Sequence, residues 1–129
     1  MRFMFIMKSE TEAMPTPELM EAMHALAQEE VAAGRMIQDG GLMPQSTAKQ
    51  VRIRKRKMMV LDGPFAETKE VIGGFAIFEL PDEAAAVASA ERFLSLHLRF
   101  LPDWEGVCEV RQIAGSQVDM IRGQQTAAA

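Results

Sequence analysis

The segment from Asp62 to Glu70 concentrates side chains that could bind or polarise a small molecule. It reads Asp-Gly-Pro-Phe-Ala-Glu-Thr-Lys-Glu, and five of its nine side chains are charged or carry a hydroxyl. Asp-Gly followed by Pro indicates a turn after a strand, and loops aimed by a rigid strand often carry function. We predict a catalytic carboxylate at Asp62 and ligand contacts from Gly63, Phe65, Glu67 and Lys69. The composition alone favours an alternative, a structural connector whose charges pair with one another.

Two histidines supply the side chains that titrate near neutral pH, and both are candidate catalytic residues. His24 falls at the edge of the apolar stripe of a first predicted helix, where a half-exposed histidine is also ordinary. His97 falls inside the apolar stripe of a second predicted helix. It is either a core histidine with one satisfied nitrogen or a general base whose pKa falls on burial. We predict that a pocket borders the loop 62–70 and that His24 or His97 reaches it.

Two further polar side chains fall where apolar ones are expected. Glu30 interrupts the stripe of the first helix, so it either pairs with a cation such as Arg35 or has a raised pKa. Cys108 has apolar neighbours in a predicted strand, which favours an inert core thiol. One cysteine and two histidines exclude a disulfide framework and argue against a zinc site. We expect neither a metal nor an organic cofactor.

The run from Arg52 to Lys57 holds five of the fourteen cations in six residues. It is either a patch for nucleic acid or an acidic partner, or a solvated hairpin that keeps a sheet edge from aggregating. No aromatic platform accompanies it, and the net charge of −4 argues against a general binder of nucleic acid or anionic membranes. A small polar ligand is the partner that the sequence favours.

The hydrophobic pattern predicts the elements that position these residues. In order, they are a strand over 2–8, a helix over 17–33, strands over 36–41, 49–54, 58–61 and 71–80, a helix over 82–98, and a strand over 106–113. The order is β-α-β-β-β-β-α-β, with one strand fewer if the second and third strands are one interrupted strand, and the core that we predict within it is βαββαβ. We predict a ferredoxin-like α+β fold with an antiparallel sheet. Gly73-Gly74 inside a strand indicates a bulge or a close backbone approach, so valine at either position should be costly.

Three predicted strands, 2–8, 58–61 and 71–80, are apolar on both faces, although two helices can cover one face only. A second copy of the sheet is the simplest cover, so we predict a homodimer. The tail 114–129 is rich in Gly, Gln and Ala and is expected to be poorly structured alone, and we predict that it docks on a partner subunit. The apolar start is too short for a signal sequence, and no apolar run could span a bilayer. The expectation is a cytoplasmic protein.

The nonamer Asp62–Glu70, followed by Ile-Gly-Gly-Phe at 72–75, resembles the signature of YCII-related proteins of the DGPF type. Stretches over 29–48 and 104–111 agree, and the resemblance covers about residues 1–113. It implies a ferredoxin-like domain that dimerises as an α/β barrel. It also implies either an enzyme with a His–Asp pair or a regulatory module linked to extracytoplasmic-function sigma factors. His24 matches the family histidine, but the aspartate expected near the end of the second helix is missing. His97, Asp62 or Glu30 would have to replace it.

Overall fold

The computed structural model describes residues 1–11, 13–65 and 71–128, with side chains described up to residue 124. Six strands and three α-helices follow one another along the chain. They are β1 (Arg2–Ser9), α1 (Pro17–Ala32), β2 (Met36–Gly41), β3 (Lys49–Arg54), β4 (Lys57–Asp62), β5 (Val71–Glu79), α2 (Glu83–Phe100), β6 (Gly106–Gln112) and α3 (Gln117–Ala128). A short 3-10 helix, Gln45–Thr47, lies between β2 and β3.

A side-chain hydrogen bond caps the N-terminus of each of the two long helices, α1 and α2. The Thr16 hydroxyl accepts a hydrogen bond from the backbone N–H of Leu19 at 3.2 Å, and Pro17 occupies the first turn of α1. The Asp82 carboxylate accepts one from the N–H of Ala85 at 2.8 Å. These bonds satisfy N–H groups that the helix itself leaves unpaired. They also set the starting points of the two helices that cover the sheet.

A four-stranded sheet with the strand order β2-β5-β1-β6 carries the core. Each pair of adjacent strands in it is antiparallel. Alternation along β1 sends Phe3 and Phe5 toward the helices, where both are buried. Phe78 of β5 joins them, and its ring stacks on Phe5 with 4.6 Å between centroids. Ala86 and Ala90 of α2 pack against this layer. The fold is therefore α+β and consistent with the predicted ferredoxin-like arrangement.

Strands β3 and β4 form a separate two-stranded sheet. The 3-10 helix divides β2 from β3, and β2 pairs with β5 while β3 pairs with β4. The alternative of one interrupted strand is thus wrong, because the two segments belong to different sheets. The basic run occupies the closed end of this hairpin, where Lys55 and Arg56 adopt left-handed conformations with φ of 48° and 65°.

The C-terminal tail contains a helix, α3, although its composition led us to expect little structure. Arg2 Nη1 contacts Asp119 Oδ2 at 2.8 Å and so joins α3 to β1. The apolar side chains of Val118, Met120 and Ile121 are exposed. Docking of this helix on a partner subunit stays a prediction.

The two adjacent glycines of β5 differ in their surroundings. A Cβ atom on Gly74 would lie 2.9 Å from the backbone oxygen of Gly40 on the neighbouring strand, whereas a Cβ on Gly73 would meet nothing within 4 Å. The close approach predicted from the sequence therefore holds for Gly74. Gly73 fits the other alternative, a bulge, because the pairing with β1 passes from Met7–Gly74 to Lys8–Ile72 and skips Gly73.

No helix among the described residues has both the length and the apolar character needed to cross a membrane.

Candidate functional site

A cavity of about 530 Å³ lies between the inner face of the sheet and the two long helices. Its walls are mainly apolar, with Phe5, Phe78, Phe93 and Trp104 among the aromatic contributors. A few polar side chains interrupt these walls: Ser9, His24, Glu30, Asp39, Ser89, Arg92 and His97. Concave, mostly apolar cavities with few polar groups are typical of small-molecule sites.

His97 of α2 is a buried histidine at the wall of this cavity, with 8% of its surface exposed. Its Nδ1 lies 3.4 Å from the backbone oxygen of Phe93, one helical turn earlier. In the tautomer that this contact favours, Nδ1–H donates to that carbonyl and Nε2 keeps its lone pair. The imidazole also lies against the Trp104 indole, with 4.6 Å between ring centroids. Burial lowers the pKa of His97, so the ring is neutral at neutral pH.

His24 of α1 also lines the cavity, but it is exposed. The structure gives its ring no hydrogen bond with a described residue. His24 therefore lies where it can meet both solvent and a ligand, whereas His97 lies at a buried wall. Both histidines line the same cavity.

Asp39 of β2 is the lining carboxylate that the sequence analysis missed. In the strand register it lies opposite Ala76, on the face that carries the core. Its carboxylate makes no hydrogen bond or ion pair with a described residue. An aspartate directly before Gly40-Gly41, inside a strand, was the available signal.

Glu30 is buried at the cavity wall, with only 4% of its surface exposed, and two arginines neutralise it. Arg35 donates from Nε to Oε2 at 2.6 Å and from Nη2 to Oε1 at 3.0 Å. Arg92 of α2 donates from Nη1 to Oε1 at 3.1 Å and from Nη2 to Glu29 at 2.6 Å. Of the two alternatives for Glu30, the structure shows the cation pair. The sequence suggested Arg35, but not the second partner from the other helix.

The described part of the loop, residues 62–65, lies outside this cavity lining. The Asp62 carboxylate forms an ion pair with Lys49 Nζ across the β3–β4 hairpin. The N–H of Gly63 donates to the backbone oxygen of Ala48 at 2.8 Å, and a Cβ on Gly63 would lie 2.3 Å from the oxygen of Gln45. The structure thus does not bring Asp62, Gly63 or Phe65 to the histidines of the same subunit. Glu67 and Lys69 fall outside the described residues.

Cys108 of β6 lines the cavity as a weakly acidic thiol, because burial raises its pKa to about 11. A thiol with this pKa is almost entirely protonated at neutral pH and is a poor nucleophile. Among the described residues, no three His, Cys, Asp or Glu side chains converge on a point that could hold a metal ion.

The lowered pKa of His97 makes a prediction about stability in mild acid. In the unfolded chain this ring accepts a proton near pH ~6.5, whereas the native environment resists protonation. The free energy of unfolding should fall as the pH drops below that value, because the unfolded state then binds more protons. Urea unfolding of wild type and His97→Gln at about pH 7.5 and about pH 5.5 measures the difference. The loss should be smaller in the variant, and equal losses in both proteins would contradict a lowered pKa.

An α+β domain with an antiparallel sheet and a cavity beneath its helices is the class that these observations define. A family model, the YCII-related domain, matches residues 1–114. The chain belongs to the YCII-related domain family, which confirms the family expected from the loop motif. A comparison with curated proteins gives no match.

Proposed function

We propose that this protein is a small-molecule enzyme that works by acid/base chemistry in the cavity beneath the helices and needs no organic cofactor. One observation carries this proposal. A buried neutral histidine, His97, has one nitrogen held by a backbone carbonyl and lines a cavity that also contains His24 and Asp39. The apolar walls suit a ligand with an apolar body, and the polar side chains suit a single polar or ionisable group on it.

His97 is the residue best placed to act as general base. Its Nε2 can accept a proton from a C–H or O–H group of the ligand, and the hydrogen bond from Nδ1 to Phe93 then stabilises the imidazolium that forms. Because burial lowers the pKa of His97, the basic form is already present at neutral pH. Asp39 and the exposed His24 line the same cavity, where each could hold the ligand's polar group or return the proton.

The base-promoted ring opening of 5-nitrobenzisoxazole tests whether the cavity holds an accessible general base. This aromatic probe loses a C–H proton in one step and releases a coloured phenolate. We expect wild type to accelerate the reaction and His97→Gln to lose about tenfold or more of that rate. The rate should increase with pH through the lowered pKa of His97 and then level off, because only the neutral ring accepts a proton.

His24→Gln is the matched control, since it removes the other imidazole of the same cavity. A loss in His24→Gln alone would transfer the role of base to His24, and equal rates in wild type and the double variant would overturn the acid/base proposal. Unfolding curves of both variants keep this test independent of folding.

We further propose that the protein is a homodimer. The sheet face opposite the helices carries Met4, Ile6, Phe75 and Ile77, and none of these side chains is fully buried in one subunit. A second copy would remove this face from water. Sedimentation velocity at micromolar concentration should give a dimer, and we expect its interface to bury on the order of 2,000 Å² or more. A monomer under these conditions would contradict the proposal.

Within a dimer, ligand contacts from Gly63 and Phe65 would come from the second copy, since neither lines the cavity of its own subunit.

A non-catalytic interaction module, the alternative that the resemblance offers, is the second candidate. The exposed apolar face of the β3–β4 hairpin favours it, because such faces mark binding surfaces. Regulation of an extracytoplasmic-function sigma factor would belong to this class. If the folded wild-type protein does not accelerate the ring opening of 5-nitrobenzisoxazole, this second candidate is favoured.

A further inference from the structure

The β3–β4 hairpin, Lys49–Asp62, which we call the basic arm, stands apart from the rest of its own subunit. Among the described residues, no hydrogen bond or ion pair joins it to the four-stranded sheet or to the helices. The cross-strand pairs Val51–Val60 and Ile53–Met58 share one face. These four side chains are 66–71% exposed. The arm therefore presents an apolar surface that the described part of its own chain leaves exposed.

Among the described residues, Asp62 is the one carboxylate that forms an ion pair in the basic arm. The arm carries six cationic side chains and one carboxylate, a net charge of +5, and since the whole chain has −4, the remainder carries −9. Lys49 pairs with Asp62, but the five cations of the run 52–57 have no carboxylate partner among the described residues. Such a concentration of like charge repels itself unless a negative surface meets it.

Four exposed carboxylates lie on segments that contact one another, and we call this surface the acidic end: Glu10, Glu18, Asp103 and Glu105. Two contacts hold its segments together. The N–H of Glu10 donates to the backbone oxygen of Glu105 at 2.9 Å, and the Thr16 hydroxyl donates to that of Phe100 at 3.4 Å. None of the four carboxylates has an ion pair with a described residue. The acidic end adjoins the cavity, because Pro15 and Trp104 line it.

We propose that the basic arm of one subunit binds the acidic end of a second copy and lies across the mouth of its cavity. The inference rests on the homodimer proposed above and adds a second contact between the two copies to the one at the outer sheet face. A second copy fits both properties of the arm, since it offers carboxylates for the cations and protein surface for Val51, Ile53, Met58 and Val60. A nucleic acid would neutralise the cations but leave the apolar face in water.

Charge reversal on each side, and then on both, tests this contact. Arg54→Glu/Lys57→Glu changes a cross-strand pair and leaves the left-handed residues Lys55 and Arg56 intact. Glu18→Lys/Glu105→Lys changes the acidic end. Sedimentation at low salt should show that each variant raises the dimer dissociation constant by about tenfold or more. A chain that carries all four changes should return to within about threefold of wild type, because the charges are complementary again.

Glu83→Lys/Glu91→Lys is the matched control, because Glu83 occupies the first turn of α2 as Glu18 does that of α1. It should neither weaken the dimer nor restore Arg54→Glu/Lys57→Glu. If wild type is a dimer and the arm variant dimerises as tightly, the arm proposal fails while the homodimer stands. If wild type is a monomer, both fail. Loss of binding to random duplex DNA in an arm variant that still dimerises would assign the arm to nucleic acid and overturn the proposal.

Discussion

Replacement of both Arg35 and Arg92 by methionine should lower the free energy of unfolding by about 3–5 kcal/mol. The double change leaves the carboxylate of Glu30 buried, with 4% of its surface exposed and without the three hydrogen bonds that the arginines donate. A buried, unpaired carboxylate is far less stable than the same group in water. Arg92→Met alone should cost less, because Arg35 keeps both of its bonds to Glu30. Urea unfolding of the single and double variants measures these differences.

Glu30→Gln provides the control for this cluster. In the double-variant background it removes the stranded charge, so it should recover a substantial part of the lost stability. The cost of the double change should also exceed the sum of the two single costs, because each arginine partly compensates for loss of the other. Additive costs, or no recovery with glutamine, would show that the arginines stabilise the fold by packing rather than by pairing with Glu30.

Gly74→Val should destabilise the protein by about 2–3 kcal/mol. The new Cβ would lie 2.9 Å from the backbone oxygen of Gly40, and backbone cannot rotate away as a side chain can. Strands β2 and β5 must therefore separate, which weakens the edge strand that carries Asp39 and opens the cavity wall. Urea unfolding reports the loss.

Gly73→Val and Gly41→Val are the matched controls, because a Cβ at either position meets nothing within 4 Å. Each should change the free energy of unfolding by no more than about 0.5 kcal/mol, as surface substitutions usually do. Equal destabilisation at 73 and 74 would mean that glycine is needed for strand conformation rather than for the approach of the two backbones. The comparison is made at a concentration where wild type and variants have the same oligomeric state.

Local patterns were enough to predict the elements and the family. Alternation in the strands and the apolar stripes of the helices depend on residues a few positions apart. The spacing of apolar residues in the sequence therefore predicts both. The predicted start of the first helix, at residue 17, agrees with the structure for the same reason. The motif at 62–75 was specific enough to predict the YCII-related domain. The tail was the exception, since composition gave no sign of α3.

The composition of the site was decided only by the tertiary structure. Asp39 and His97 line one cavity because β2 pairs with β5 while α2 crosses the same face of the sheet, and strand pairing of this kind leaves no local signal. Arg92 reaches Glu30 only because the two helices pack side by side. The described part of the loop at 62–65, the most distinctive segment of the sequence, follows the hairpin away from the cavity. Residue types and spacing identify groups capable of chemistry, but long-range packing determines which of them meet.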